Sequence, residues 1–170
     1  MMFEPLSAVE FLQAAPDLDV PVRTGVGLAG SAVWTFVTTV VLGAILVAIS
    51  PEYTKARMAD VVSTPLESVL YGILALLGVI VLAILFVITI IGIPIAIASV
   101  FAAYLLWIFG AIIAYLAIAD RLVGIDDGWL KPLLVAGAIN GALVLTGIGG
   151  LVSFVIGAAG FGTVIRALLA

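Results

Sequence analysis

The chain has 170 residues, of which 65% are hydrophobic and 9% charged, and its formal net charge is −4. Its mean hydropathy is +1.45. Soluble domains contain about 45–50% apolar and about 25% charged residues, so the composition excludes a soluble fold and predicts an integral membrane protein. Cysteine and histidine are absent from the sequence, and six Lys and Arg stand against ten Asp and Glu. These counts exclude disulfides, the commonest zinc ligands and a basic surface for nucleic acid.

Residues 1–22 form an acidic N-terminal segment. Leu6, Val9 and Leu12 recur at every third position within it, so the segment is either a short helix at the membrane interface or a disordered lead-in. Its start lacks the positive charge of a signal peptide. The multi-pass domain is predicted to occupy residues 23–170.

The first membrane span is predicted over residues 25–50, because the 28 residues from Thr24 to Pro51 carry no charge. Ser50 and Pro51 then have the form of a helix start, and the residues to about 62 are predicted to be a surface helix. Thr64 and Glu67, three positions apart, match a capping box at the start of the second span.

The 52 residues from Ser68 to Ala119 are also uncharged. As one helix they would measure about 78 Å, more than twice a ~30 Å hydrocarbon core. The run must therefore turn back, and Gly92 and Pro94 supply the turn signal. We predict a transmembrane hairpin with spans over residues 67–91 and 95–119. The tip is either a simple turn or a broken helix that lines a cavity, as in transporters.

Another polar loop, residues 120–131, precedes 34 uncharged residues with glycines at their centre. Two arms, 132–147 and 150–166, are at the short limit for crossing a bilayer. The predicted fold class is thus an all-α integral membrane protein with about five transmembrane helices, arranged as one span plus two hairpins. The last hairpin either crosses twice or is re-entrant.

The basic residues indicate an orientation. With the N-terminus outside and five crossings, Arg23 lies outside, and the other five basic residues lie on the cytoplasmic side: Lys55, Arg57, Arg121, Lys131 and Arg166. This follows the positive-inside rule. The expected location is the cell membrane, with a cytoplasmic C-terminus.

Asn140 is the single asparagine of the chain and lies between Gly137 and Gly141. We expect this group to pack helices together or to form an oligomer contact, with a substrate-contacting amide as the alternative. Gly92 and Pro94 are the other candidate packing or pathway residues. Three threonines near Trp34, at positions 35, 38 and 39, are expected to bond back to their own helix.

The predicted spans contain no ionisable residue near mid-membrane, where such residues mark ion and proton pathways. No serine has a candidate base, and no pair of acids has catalytic spacing. We therefore expect no enzyme activity, cofactor or metal.

Three features together carry a resemblance to a known family. They are the segment Ser63–Ser68, the run Thr89-Ile90-Ile91-Gly92-Ile93-Pro94-Ile95, and the glycine-tipped last hairpin. Over residues 25–170 the chain resembles the multi-pass membrane domain of polymer-forming cytoskeletal, or bactofilin-like, proteins of archaea and bacteria. Its acidic balance is either accidental, since the chain has so few charges, or a sign of a salt-loving archaeon. A glycine-rich β-helical repeat is missing from the sequence.

The resemblance implies a membrane-embedded scaffold or anchor without assigned chemistry. Such a protein would lie in the lipid bilayer and would self-associate or bind another envelope or cytoskeletal protein. The alternative function is a small transporter or channel component, with a pathway along the two hairpins.

Overall fold

The computed structural model describes residues 20–89, 92–146 and 148–169. They form six helices: α1 (Val20–Ile49), α2 (Pro51–Ser63), α3 (Pro65–Val87), α4 (Ile93–Val123), α5 (Leu130–Val144) and α6 (Gly149–Leu169). The predicted N-terminal interfacial helix lies outside the described residues.

The all-α membrane fold predicted from the sequence is confirmed. Four helices, namely α1, α3, α4 and α6, are long and apolar enough to cross a membrane. The helix α5 is apolar but has 15 residues, about 22 Å at 1.5 Å per residue, which is less than a ~30 Å hydrocarbon core. The fourth predicted span, residues 132–147, is therefore a short helix, whereas the fifth, residues 150–166, lies within α6.

The helices α4 and α6 form the centre of the bundle. They run parallel, because Gly110 approaches Gly160 and Trp107 approaches Gly157. Helix α6 also packs against α3, and these two helices are antiparallel. Helices α1 and α5 form a second antiparallel pair, which packs against the other side of α4. The short helix α2 and the loop after α4 lie at one end of the bundle, which we call the basal end. The turns after α3 and α5 lie at the opposite end, which we call the hairpin end.

Helix α6 packs against its neighbours backbone to backbone. A Cβ atom built on Gly160 would lie 1.8 Å from the carbonyl oxygen of Gly110, and one built on Gly72 would lie 1.9 Å from that of Ala158. No real Cβ fits at such distances. Small residues allow this approach, which is how membrane helices gain van der Waals contact without a hydrophobic driving force between them.

The two hairpins have the same turn. Gly92 donates its N–H to the Thr89 carbonyl oxygen at 2.8 Å, and Gly149 donates to that of Thr146 at 3.0 Å. Each threonine hydroxyl donates to the carbonyl three residues earlier, on Phe86 or Leu143. The sequences Val87-Ile88-Thr89-Ile90-Ile91-Gly92 and Val144-Leu145-Thr146-Gly147-Ile148-Gly149 are correspondingly alike.

The second turn lies nearer the basal end than the first. The parallel contact of Trp107 with Gly157 aligns Gly149 with Ser99, six residues past the start of α4. The antiparallel contact of Gly72 with Ala158 aligns Gly149 with Val81, six residues before the end of α3. Both alignments place the second turn about 9 Å short of the first.

Helices α2 and α3 begin at Pro51 and Pro65, as the sequence predicts, but the expected side-chain caps do not form. Neither Ser50 nor Thr64 forms a side-chain cap hydrogen bond with the helix that follows it. The Thr64 hydroxyl donates instead to the carbonyl oxygen of Asp60, 3.2 Å away in the preceding helix. Because α2 and α3 follow each other with one residue between them, the preceding carbonyl is nearer than the next helix's amide.

Candidate functional site between α1, α4 and α5

The main polar contact between helices joins α5 to α1. The Asn140 side-chain amide donates to the Thr39 hydroxyl oxygen at 2.9 Å. Thr39 donates in turn to the carbonyl oxygen of Thr35 at 2.8 Å. Thr39 is 4% exposed. A partly buried amide therefore binds a buried hydroxyl that also bonds back to its own helix.

Gly137 and Gly141 lie on the same contact. A Cβ on Gly137 would be 2.7 Å from Val40 Cγ2, and one on Gly141 would be 2.9 Å from the carbonyl oxygen of Ala32. These two glycines bring the backbones of α1 and α5 close enough for Asn140 to reach Thr39.

A cleft of about 360 Å³ opens beside this contact, with its walls on α1 and α4 and Asn140 at its α5 side. Its polar lining consists of Thr35, Thr38, Thr39 and Asn140, and its aromatic lining of Trp34, Tyr104 and Trp107. Trp34 and Tyr104 face outward, with 73% and 59% of their surface exposed. Asn140 lies ten residues along α5, about 15 Å from the basal end, which is close to the middle of a ~30 Å hydrocarbon core.

Gly92 and Pro94 lie elsewhere, at the hairpin end. Gly92 is buried, and a Cβ there would be 2.1 Å from the carbonyl oxygen of Phe86. Pro94 lies in the first turn of α4 and faces outward. The cleft begins along α4 at Tyr104, 11 residues or about 16 Å from Ile93. The structure therefore does not bring the two groups of candidate residues together.

A second cleft, of about 570 Å³, lies between α3 and α4 and has an apolar lining. Trp107 and Phe154 close its inner side, with ring centroids 5.5 Å apart. Sequence reasoning missed both clefts. Tyr104 and Trp107 line both clefts.

Tyr115 lies near the basal end of α4. Its side chain is 2% exposed and packs in the core of the bundle. A linear sequence does not reveal which face of α4 is buried.

All charged residues with described side chains lie at the basal end. Arg166 binds Glu67 at 3.3 Å and thereby joins the end of α6 to the start of α3, Arg57 binds Asp60 at 2.8 Å, and Lys131 binds Asp127. Lys55 lies 5.8 Å from the ring centroid of Trp129. Burial raises the pKa of Tyr53 in α2, and the Arg57 guanidinium opposes this rise.

Groups suited to metal catalysis do not occur in the described part of the chain. Residues 20–89, 92–146 and 148–169 contain no cluster of three His, Cys, Asp or Glu that could hold a metal ion. The polar groups of the cleft are neutral amide and hydroxyl groups, which are suited to hydrogen bonding.

These features define an all-α integral membrane protein with a closely packed core and a neutral polar cleft about 15 Å from the basal end. The chain belongs to the family described as Domain of unknown function (DUF8173), whose model matches residues 5–170. Neither the curated proteins nor the solved structures contain a significant match to it.

Proposed function

We propose that the protein is a membrane-embedded scaffold or anchor, which self-associates or binds another envelope or cytoskeletal protein. The observation that supports this best is the packing of α6, whose glycines touch the backbones of α3 and α4 directly. A core closed in this way is rigid and leaves no room for a water-filled passage between these three helices.

The outward face of α3 supports the same proposal. Within this helix the buried residues are Ser68 and Gly72, while large side chains such as Leu74 and Leu85 face outward. Such a face is available to lipid or to a partner helix. The charged basal end, which carries five of the six basic residues, is proposed to face the cytoplasm.

One observation favours the alternative, a small transporter or channel component. The cleft beside Asn140 places amide and hydroxyl groups near the middle of the membrane, where a hydrated pathway would need them. The two proposals differ in whether water reaches these groups.

Single cysteines test this difference, since the natural chain has none. We expect Asn140→Cys in intact membranes to resist a charged, water-soluble thiol reagent, as Ala138→Cys on the outward face of α5 should. Ile93→Cys, at the start of α4, tests the hairpin end. Rapid labelling of both Asn140→Cys and Ile93→Cys from the aqueous side, with Ala138→Cys protected, would refute the scaffold proposal and support a pathway.

A further inference from the structure

The cleft between α1 and α4 contains more hydrogen-bonding capacity than the bundle uses. Asn140 offers two N–H groups and one carbonyl oxygen, and it forms one side-chain hydrogen bond, to Thr39. Among the described residues, the Thr35 and Thr38 hydroxyls form no side-chain hydrogen bond, whereas Thr39 bonds back to its own helix. Unsatisfied polar groups are costly in a hydrocarbon environment.

The size of the cleft suits a small molecule. The cleft holds about 360 Å³, which falls within the range of small-molecule sites. A lipid acyl chain would fit, but it would leave the amide and hydroxyl groups unpaired.

The lining indicates the chemistry of the occupant. The groups that reach the cleft carry no charge, so the ligand is neutral. Amide and hydroxyl donors pair with a carbonyl oxygen, and the rings of Trp34, Tyr104 and Trp107 offer flat apolar surfaces to a planar ring. The cleft lies at mid-membrane depth beside two outward-facing aromatic residues, so the ligand enters from the lipid.

We propose that this cleft binds a lipid-soluble quinone, with its ring among Trp34, Tyr104 and Trp107 and a ring carbonyl accepting hydrogen bonds from Asn140 and Thr38. The tail of the quinone remains in the bilayer. This site is independent of the scaffold proposal, because it needs access from lipid and no aqueous pathway.

Tryptophan fluorescence tests the site directly. The chain has three tryptophans, of which Trp34 and Trp107 line the cleft while Trp129 lies at the basal end beside Lys55. In lipid nanodiscs, decylubiquinone should quench the Trp129→Phe protein saturably. The Trp34→Phe, Trp107→Phe double variant, which keeps Trp129 alone, should show weak quenching that rises linearly with quinone content.

Two substitutions in the cleft should weaken the saturable quenching. Removing one hydrogen-bonding group within a membrane should raise the half-saturating quinone content about 3- to 15-fold. We expect this for Asn140→Leu and for Thr38→Val, which keeps the side-chain volume and leaves the Asn140–Thr39 contact intact. Ser99→Ala, on α4 outside the cleft, is the matched control and should bind as the natural chain does.

The proposal fails if quenching rises linearly with quinone content in the Trp129→Phe protein as it does in the double variant. Linear quenching in both would indicate that the quinone only partitions into the lipid. The proposal also fails if Thr38→Val and Asn140→Leu bind quinone as tightly as Ser99→Ala. Displacement of the quinone by an equal content of cholesterol, whose ring system is not planar and bears a hydroxyl group, would overturn the assignment to quinones.

Discussion

Gly110 and Gly160 mark the closest approach between the two central helices. Any larger side chain would hold α4 and α6 apart at this point, and glycine carries only a hydrogen atom there. Gly72 of α3 and Gly162 of α6 have the same role where these two helices meet, because a Cβ on either would lie 1.9 Å from a carbonyl oxygen of the other helix. At the scale of single residues, the fold depends on the absence of side chains at these positions.

A matched pair of alanine substitutions tests this dependence. In Gly160→Ala the added methyl group meets the Gly110 carbonyl, and we expect the free energy of unfolding to fall by about 1–3 kcal/mol. Gly78→Ala adds a methyl group to an outward face of α3 with nothing within 4 Å. It should leave stability unchanged or raise it by up to about 1 kcal/mol, because alanine favours helix.

Both variants can be compared by unfolding the detergent-solubilised protein with increasing amounts of a denaturing detergent. Equal stabilities of Gly160→Ala and Gly78→Ala would contradict the backbone contact between α4 and α6.

At the scale of elements, the two hairpins repeat one turn at different depths. Thr89 with Gly92 and Thr146 with Gly149 form the same hydrogen bonds, although the arms of the second hairpin are shorter. The repeat runs in the same direction in both copies. Such parallel repeats are related by an axis along the membrane normal.

The glycine of the second turn should tolerate no side chain. A Cβ on Gly149 would lie 1.6 Å from the carbonyl oxygen of Leu143, whereas one on the adjacent Gly150 would meet nothing within 4 Å. We expect Gly149→Ala to lower the free energy of unfolding by about 1–3 kcal/mol. Gly150→Ala, the control one residue away, should unfold like the natural protein. If both variants unfold alike, the turn is not held as described.

At the scale of the whole molecule, the charged residues with described side chains all lie at one end of the bundle, and the other end carries two apolar turns at unequal depths. The positive-inside rule then predicts a cytoplasmic basal end and an external hairpin end. The second turn, about 9 Å nearer the basal end, should lie within the outer part of the bilayer.

Three single cysteines measure this arrangement in intact cells. Ile88→Cys, at the first turn, should react with an impermeant thiol reagent from outside, and Glu52→Cys, at the basal end, should react after permeabilisation. Ile148→Cys, at the second turn, should react from outside more slowly than Ile88→Cys because it lies deeper. Labelling of Glu52→Cys in intact cells would invert the proposed topology. Equal labelling at Ile88→Cys and Ile148→Cys would contradict the difference in depth.

The sequence by itself determined the fold class and the order of the helices. Long uncharged runs can be accommodated in lipid as helices, and length forces the run from Ser68 to Ala119 to turn near Gly92. The length of the last uncharged run also indicated that the arms of the last hairpin are short. These properties are local and are therefore visible in a linear sequence.

Only the tertiary structure decided which faces of the helices pack against each other. Asn140 reaches Thr39 across 101 positions, and Trp107 lines two clefts at once. Uniformly apolar helices carry little periodic signal, so the buried face of each helix depends on where glycine and alanine allow backbones to approach. This selection of buried helix faces places Tyr115 in the core and leaves the polar cleft open beside Asn140.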